Sequence, residues 1–223
     1  MSDAEDVSRS AIARPGAGSD TRDAVLGAAA SMFTERGYLG TSVDDIADVL
    51  GSTKGRIYHL YRSKTDLFLD VHLASLRMMI NLVGPIAADI SLRPPERLRR
   101  MAYEQVMAIM TSAPLHKAGL QGLQRHHLDL SSARRREAMR RVIEMRDEFE
   151  ELFAQVVREG IEAGDFEDAP ARMVTKPLQG ALNWTLVWFD PERKSSRQEI
   201  EAIAGTIADF VVGGAKGPRA RRA

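Results

Sequence analysis

The sequence predicts an all-α protein, in which an N-terminal three-helix domain with a helix-turn-helix precedes a larger helical bundle. Apolar residues recur at helical spacing along the 223-residue chain, and no segment has the alternating pattern of a strand. Residues that cap helices precede many of these segments, and glycine or proline follows them. The chain has no cysteine, which excludes a disulfide framework and a thiolate zinc site.

The N-terminal region contains a polar arm and then a first helix. Residues 1–19 are small, polar and interrupted by proline and glycine, so we expect a disordered arm. A helix is predicted from Asp20, as its N-cap, to Arg36, and Gly37 should end it. This helix should pack on the next two to complete a helix-turn-helix domain over residues 20–66.

Residues 41–64 contain two short helical patterns joined by Gly51. In the first pattern, Ser42 and Asp45 have the spacing of a capping box. The second pattern follows Thr53, a candidate N-cap, and the charged residues on it are all basic in a chain with formal net charge 0. This organisation is typical of a DNA-binding helix-turn-helix, although a surface helix pair with solvated lysines is the simpler alternative.

We predict that the DNA-binding residues donate to base edges or phosphates, or allow the backbone to approach the groove. Arginine suits bidentate contact with guanine, and Gly55 leaves no side chain to hold the helix away from the groove floor. The predicted DNA-binding residues are Thr41, Ser42, Thr53, Lys54, Gly55, Arg56, Tyr58, His59 and Lys64.

The run from Asp20 to about Asp70 resembles the DNA-binding domain of the TetR family of bacterial transcriptional regulators. The family pattern T-x-x-x-I-A…G-x-x-K-G-x-x-Y-x-x-F-x-x-K-x-x-L is matched here by Thr41, Ile46, Ala47, Gly51, Lys54, Gly55, Tyr58, Tyr61, Lys64 and Leu67. Ser52, Arg56 and Tyr61 depart from what the family usually has. Because Arg56 adds a long donor to the recognition helix, no operator sequence can be transferred from the family.

The rest of the chain is predicted to form one helical regulatory and dimerisation domain over residues 67–214, followed by a disordered basic tail over residues 215–223. The first predicted helix of this domain runs from the Ser63–Asp66 capping box to Gly84-Pro85, and the second from Pro94-Pro95 to Pro114. A weaker helical pattern spans Leu115 to Leu128, and a long helix is predicted from Ser131 or Ser132 to Ala163. The last two predicted helices run from Ala171 to Phe189, with Pro177 inside, and from Ser196 to Gly213-Gly214.

Small residues in the last two predicted helices permit close approach of another helix. They are Gly180, Ala181, Ala202, Ala204, Gly205 and Ala208. We expect these helices to pair with their copies in a second subunit as a four-helix dimer interface. Packing within one subunit is the alternative, and the family resemblance favours the dimer.

The regulatory domain is predicted to enclose an apolar pocket, because methionine and aromatic side chains between helices adapt to small molecules. The candidate ligand-binding residues are Met107, Met110, His126, Asn183, Trp184 and Trp188, with His127 as an alternative to His126. Ordinary core packing is the alternative for each. A metal at the adjacent histidines is rejected, since neighbours on a helix diverge and neither has a carboxylate at i+4. The C-terminal pattern LQGALNWTLVWF resembles a TetR subgroup tied to lipid and steroid catabolism, some of whose members respond to acyl-CoA.

These inferences predict a ligand-responsive transcriptional repressor. It would bind a pseudo-palindromic double-stranded DNA operator as a homodimer and be released by a small apolar or acyl-CoA-type effector. The alternatives are a regulator that responds to a drug-like or other hydrophobic compound, and a helical interaction or scaffold protein without sequence-specific DNA binding. The effector and operator stay open.

Other classes of protein are not favoured by the sequence. There is no glycine-rich phosphate loop, recognisable nucleophile–base motif or metal set, so neither an enzyme nor a cofactor is predicted. No signal peptide or run long enough to span a bilayer is evident, and we expect a cytoplasmic protein without a membrane partner.

Overall fold

The computed structural model describes residues 17–111, 115, 128–190 and 195–217. These ranges contain no strand, which confirms the predicted all-α class. The helices are α1 (Ala17–Arg36), α2 (Val43–Val49), α3 (Lys54–Leu60), α4 (Lys64–Ala87), α5 (Pro94–Thr111), α6 (Ala133–Glu162), α7 (Ala171–Trp188) and α8 (Arg197–Ala215). The predicted helix over 115–128, residues 1–16 of the arm and residues 218–223 of the tail lie outside the described residues.

Helices α1, α2 and α3 pack around one apolar cluster together with the start of α4. Phe33 of α1 meets Phe68 of α4 edge to face, with ring centroids 5.0 Å apart. Ile46 of α2 and Ile57 of α3 are buried in the same cluster. Because Phe68 and Val71 belong to this cluster, the first turns of α4 serve the N-terminal core, beyond the predicted domain boundary at residue 66.

A second apolar cluster joins the rest of α4 to α5, α6, α7 and α8. Helix α5 lies at its centre and contacts each of the other four helices. A smaller cluster of Leu69, Met139 and Val142 joins α4 to α6 near the N-terminal core. Helix α4 therefore contributes to every cluster, and it connects the helix-turn-helix to the bundle.

Capping residues predicted from the sequence set the start of four helices. The side chains of Ser42, Ser63, Ser132 and Ser196 each accept a hydrogen bond from a backbone N–H in the first turn of α2, α4, α6 and α8 respectively. Helix α1 instead begins at Ala17, before the predicted cap at Asp20.

Two predicted helix ends are wrong, because tertiary packing outweighs glycine and proline. Helix α4 continues past Gly84-Pro85 to Ala87, which is 3% exposed and whose carbonyl accepts a hydrogen bond from buried Arg97 at 2.8 Å. Helix α8 continues through Gly213-Gly214 to Ala215, which is 1% exposed in the bundle core. It ends before Gly217, whose φ is 69°.

Helix α4 is long and apolar enough to cross a bilayer, with a mean hydropathy of 1.4 over an 18-residue window. The expectation that no run has this length is therefore wrong by length and composition. In the fold, 44% of that window is buried, and α4 packs against α1, α5 and α6. Its apolar side chains are thus used in the protein's own core.

Candidate nucleic-acid interface

The helix-turn-helix is built from α2, Gly51 and α3. The Ser42 hydroxyl accepts a hydrogen bond from the Asp45 backbone N–H at 3.1 Å, and the Asp45 carboxylate accepts one from the Ser42 backbone N–H at 2.7 Å. Hydrogen bonds from Ser42 hold the pKa of the Asp45 carboxyl below its ordinary value. Gly51 has a φ of 57°, which glycine adopts without steric cost, and this reverses the chain into α3.

Helix α3 is anchored by one residue and exposed on its other side. Ile57 is 1% exposed and packs in the N-terminal core. The exposed residues on the helix are Lys54, Gly55, Arg56, Tyr58 and His59. The five positions that the sequence predicted for the recognition helix therefore share an accessible surface, which we call the α3 face.

The N-terminal end of the α3 face is open. Thr53 is the exposed N-cap of α3, and its side chain makes no capping hydrogen bond to the helix. A Cβ added at Gly55 would have no described atom within 4 Å. A DNA backbone or base could thus approach closely here, at a helix end that carries partial positive charge.

The cations of the α3 face are held by weak, exposed contacts. Lys54 Nζ lies 2.8 Å from Asp44 Oδ2 and 5.8 Å from the ring centroid of Tyr58. The Arg56 guanidinium donates to the Thr21 hydroxyl at 3.4 Å. Because an exposed ion pair is worth only ~0–1 kcal/mol, these side chains can exchange their partners for phosphate or base atoms at little cost.

Two predicted DNA-binding residues are used mainly inside the protein. Thr41 is 2% exposed, and its hydroxyl hydrogen-bonds to the carbonyl oxygens of Met32 and Gly37 at 3.0 and 2.8 Å. Lys64 Nζ donates to the carbonyls of Tyr38 and Thr41, both at 2.8 Å. Phosphate contact by the Thr41 hydroxyl does not fit this geometry, and Lys64 ties the start of α4 to the α1–α2 loop.

Sequence analysis missed a polar contact that links the N-terminal core to α4. The Arg22 guanidinium donates to Asp70 Oδ2 at 2.6 Å, and the Tyr61 hydroxyl donates to the same oxygen at 2.7 Å. Burial, together with the hydrogen bond to Asp70, raises the pKa of Tyr61 far above its ordinary value. Arg22 and Asp70 are 48 residues apart, so no local pattern indicates the pair.

The candidate ligand-binding residues do not form one group. Met110 is buried in the bundle core, and half-buried Met107 packs against that core. Asn183 is half-buried and accepts a hydrogen bond from Gln105 at 3.1 Å. Trp184 and Trp188 instead point outward, at 62% and 48% exposure, so lining of an interior pocket is wrong for Trp184. Trp188 borders a surface pocket of about 380 Å³ between the end of α7 and the start of α8. His126 and His127 lie outside the described residues.

The outward tryptophans belong to an apolar surface on α7 and α8, which we call the α7–α8 face. Its large side chains are Met173, Trp184, Val187, Trp188 and Phe210, which are 67%, 62%, 57%, 48% and 68% exposed. Of the predicted interface residues, Gly180 and Ala202 are exposed, whereas Ala204 and Ala208 are fully buried in the bundle core. Small residues therefore serve both alternatives, internal packing and an external surface.

A search of the described residues for three or more clustered histidine and carboxylate side chains finds no group that could hold a metal ion.

Both halves of the chain match known protein families. Residues 25–71 match the family described as "Bacterial regulatory proteins, tetR family", and residues 91–215 match "Tetracyclin repressor-like, C-terminal domain". The first match covers α2 and α3, most of α1 and the start of α4. The second covers the bundle from α5 to α8.

Similar proteins cover nearly the whole chain. The HTH-type transcriptional repressor KstR2 of Rhodococcus jostii (strain RHA1) is 25% identical over 203 residues, or 90% of this chain and 93% of that protein. The TetR family regulator PfmR from Thermus thermophilus is 28% identical, with a TM-score of 0.73 over 85% of this chain and 97% of its own. AibR, crystallised with isovaleryl coenzyme A and operator DNA, is 22% identical, with a TM-score of 0.68 over 88% and 98%. The similarity to AibR shows the fold alone.

Proposed function

Because the chain belongs to the TetR family of bacterial regulatory proteins, we propose that it is a ligand-responsive transcriptional repressor that acts in the cytoplasm as a homodimer. The observation that carries this proposal is the α3 face, where a capped, glycine-turned helix exposes basic and aromatic residues around an open glycine. The similarity to KstR2, a transcriptional repressor, over 90% of the chain supports the same conclusion.

In the proposed complex, the N-terminal end of α3 enters the major groove. Arg56 and Lys54 contact base edges or phosphates, and Gly55 lets the helix approach the groove floor. Tyr58 and His59 donate to phosphate oxygens beside the groove, as do Ser42 and Thr53 from the helix starts. Arg56 is the residue expected to give sequence preference, since guanidinium bonds guanine with two hydrogen bonds.

The homodimer would form through the α7–α8 face. Its exposed tryptophans, methionine and phenylalanine are the residue types enriched at protein interfaces. Exposed Gly180 and Ala202 allow close approach of a second pair of helices. A symmetric dimer would then present two α3 faces to a pseudo-palindromic operator with half-sites about one helical turn apart.

The effector would bind in the bundle and change the distance between the two α3 faces. We propose an apolar or acyl-CoA-type molecule, because the bundle core contains methionines, and AibR, a protein of this fold, has been crystallised with isovaleryl coenzyme A and operator DNA. Helix α4 connects the bundle to the helix-turn-helix and would carry the movement. Linkage requires the operator to lower effector affinity by the same factor by which the effector lowers operator affinity.

The test is binding of the purified full chain to its own upstream DNA and to a random duplex of equal length, at several salt concentrations. The proposal expects tight binding to the upstream DNA, weaker binding to the random duplex and release by one member of a panel of fatty acyl-CoA and steroid-CoA compounds. Equal affinity for the two duplexes at every salt concentration would contradict a sequence-specific repressor, because phosphate contacts alone carry no sequence information.

The α3 face itself is tested by Arg56→Ala, with Arg140→Ala on the exposed surface of α6 as the matched control. Loss of preference for the upstream DNA in the first variant only would support base contact by Arg56.

Binding of the natural protein to its upstream DNA without release by any thioester would support DNA recognition and refute the acyl-CoA class of effector.

A further inference from the structure

Three amide side chains meet at the contact of α5 and α7 in the bundle. Gln105 of α5 is 1% exposed, and Gln179 of α7 is 9% exposed. Gln105 Nε2 donates to Gln179 Oε1 at 3.2 Å and to Asn183 Oδ1 at 3.1 Å. We call these three residues the amide cluster.

The amide cluster leaves one hydrogen-bond acceptor and one donor unused. Gln105 Oε1 and Gln179 Nε2 are buried and have no hydrogen-bond partner among the described residues. The orientation of an amide is assigned from its hydrogen bonds, so the opposite assignment has to be considered. Turning all three amides keeps their mutual contacts and exchanges the roles, but it still leaves one buried donor and one buried acceptor.

Packing alone does not account for Gln105. Leu98, Met101, Ala102, Val106 and Ile109 are the other buried neighbours on α5 in this part of the core, and all are apolar. Native cores rarely keep a buried amide without its hydrogen bonds, because an apolar side chain of similar shape would be at least as stable. The two unused atoms can therefore bond a polar group from outside the described chain, either a water molecule or the polar end of a ligand.

The chemistry of the amide cluster restricts what that group can be. All three side chains are uncharged, and within the described chain no ammonium, guanidinium or carboxylate is hydrogen-bonded to them. A carboxylate or phosphate would be buried here without a counter-charge, which is strongly unfavourable. A ketone or ester can accept from one amide but cannot donate to the other. A hydroxyl or an amide can both donate and accept while remaining neutral.

The surroundings of the amide cluster suit the rest of an apolar molecule. Met101 and Ile109, each one turn from Gln105 on the same side of α5, are buried, and Leu182 is fully buried one turn after Gln179 on α7. Methionine side chains adapt to the shape of a ligand because they are unbranched and flexible. An apolar ligand could therefore bury its chain among these residues while its polar end satisfies the two amides.

We infer that the amide cluster is the polar recognition site of the effector and that it selects a neutral group able both to donate and to accept, a hydroxyl or an amide. This inference rests on the proposed function, since it names the chemistry of the effector. It adds a discrimination between neutral polar groups that the proposal of an apolar or acyl-CoA-type effector does not contain.

The experiment compares small probes that share an eight-carbon chain and differ in their polar end. The probes are 1-octanol and octanamide, which donate and accept, 2-octanone, which only accepts, and octanoate, which is charged. Each is added in excess to the full chain without DNA, and the thermal unfolding midpoint is measured, since binding to the folded state raises it. The expected result is a midpoint about 2–4 °C higher with octanol or octanamide than with octanone or octanoate.

The variant Gln105→Met tests whether the amide cluster causes the difference, because methionine keeps the length of the side chain and removes both polar atoms. Gln198→Met, at an exposed position of α8, is the matched control. In Gln105→Met the four probes should give the same shift, measured against that variant's own midpoint, which the loss of the hydrogen bonds to Gln179 and Asn183 should lower. In Gln198→Met the preference for octanol and octanamide should remain.

Two outcomes would overturn the inference. Equal shifts for octanol and octanone in the natural protein would show that donor and acceptor are not used together. A preserved preference in Gln105→Met would place recognition elsewhere. Failure of the proposed function would give a different result: without any probe, the natural protein would bind its upstream DNA no more tightly than a random duplex.

Discussion

Replacement of Lys64 by methionine should lower the free energy of unfolding but leave the salt dependence of operator binding unchanged. Lys64 Nζ donates to two backbone carbonyls at 2.8 Å and lies 4.4 Å from the ring centroid of Tyr38. In a half-exposed setting we assign about 1 kcal/mol to each hydrogen bond and ~0.5 kcal/mol to the cation–π contact. The free energy of unfolding should therefore fall by about 2–3 kcal/mol.

Circular dichroism during thermal unfolding measures this effect. For a chain of this size, each kcal/mol corresponds to about 2–4 °C, so Lys64→Met should lower the midpoint by roughly 4–12 °C. Lys54→Met is the matched control, because Lys54 makes only exposed contacts: the ion pair with Asp44, worth ~0–1 kcal/mol, and the ring of Tyr58 at 5.8 Å. Its midpoint should change little.

The salt dependence of operator binding should rank the two lysines in the reverse order, since Lys54→Met should change it and Lys64→Met should not. If Lys54 contacts a phosphate, Lys54→Met should reduce the slope of log K against log salt by about 0.9, while Lys64→Met leaves it unchanged at a temperature where the variant is folded. A Lys64→Met protein with the natural midpoint and a slope reduced by about one would refute the structural role and restore Lys64 as a phosphate contact.

Other consequences follow for the α3 face, the α7–α8 face and the first cap. Gly55→Leu should not lower the unfolding midpoint, because the added side chain meets open space and leucine favours a helix more than glycine does, but it should weaken operator binding at least about tenfold in a gel-shift titration. An unchanged affinity would mean that α3 does not approach the groove floor. Trp184→Glu should give a folded monomer by sedimentation velocity, since the side chain is 62% exposed in one subunit; a stable dimer would place the interface elsewhere. Hydrogen bonds from Ser42 lower the pKa of Asp45, so their contribution to stability is present above the unfolded pKa and is lost as pH falls through the folded pKa. Urea titrations from about pH 6 to about pH 3 should show a smaller loss of stability for Ser42→Ala than for the natural protein, and parallel losses would contradict the cap.

The accuracy of the sequence predictions depends on the distance over which the controlling interactions act. Ser42 caps α2 through Asp45, three residues away, and Gly51 makes the turn through its own φ angle. Both features are encoded within a few residues, so pattern and spacing were sufficient to predict them.

The intramolecular partners of Lys64 could not be predicted from local pattern, because they are remote in sequence. A lysine at the end of a basic run has the same local pattern whether its ammonium faces a phosphate or two carbonyls. The carbonyls belong to Tyr38 and Thr41, 26 and 23 residues earlier. Only the packing of α4 against the α1–α2 loop decides between the two.

The sequence by itself determined the all-α class, most helix bounds and the exposed α3 face, because helical periodicity, capping and glycine turns are local. The tertiary structure decided the rest. Gly84-Pro85 and Gly213-Gly214 lie within helices that continue to Ala87 and Ala215, which are buried in the bundle core. Trp184 faces outward and Gln105 inward for the same reason: the identity of a side chain does not state which neighbouring helix will cover it.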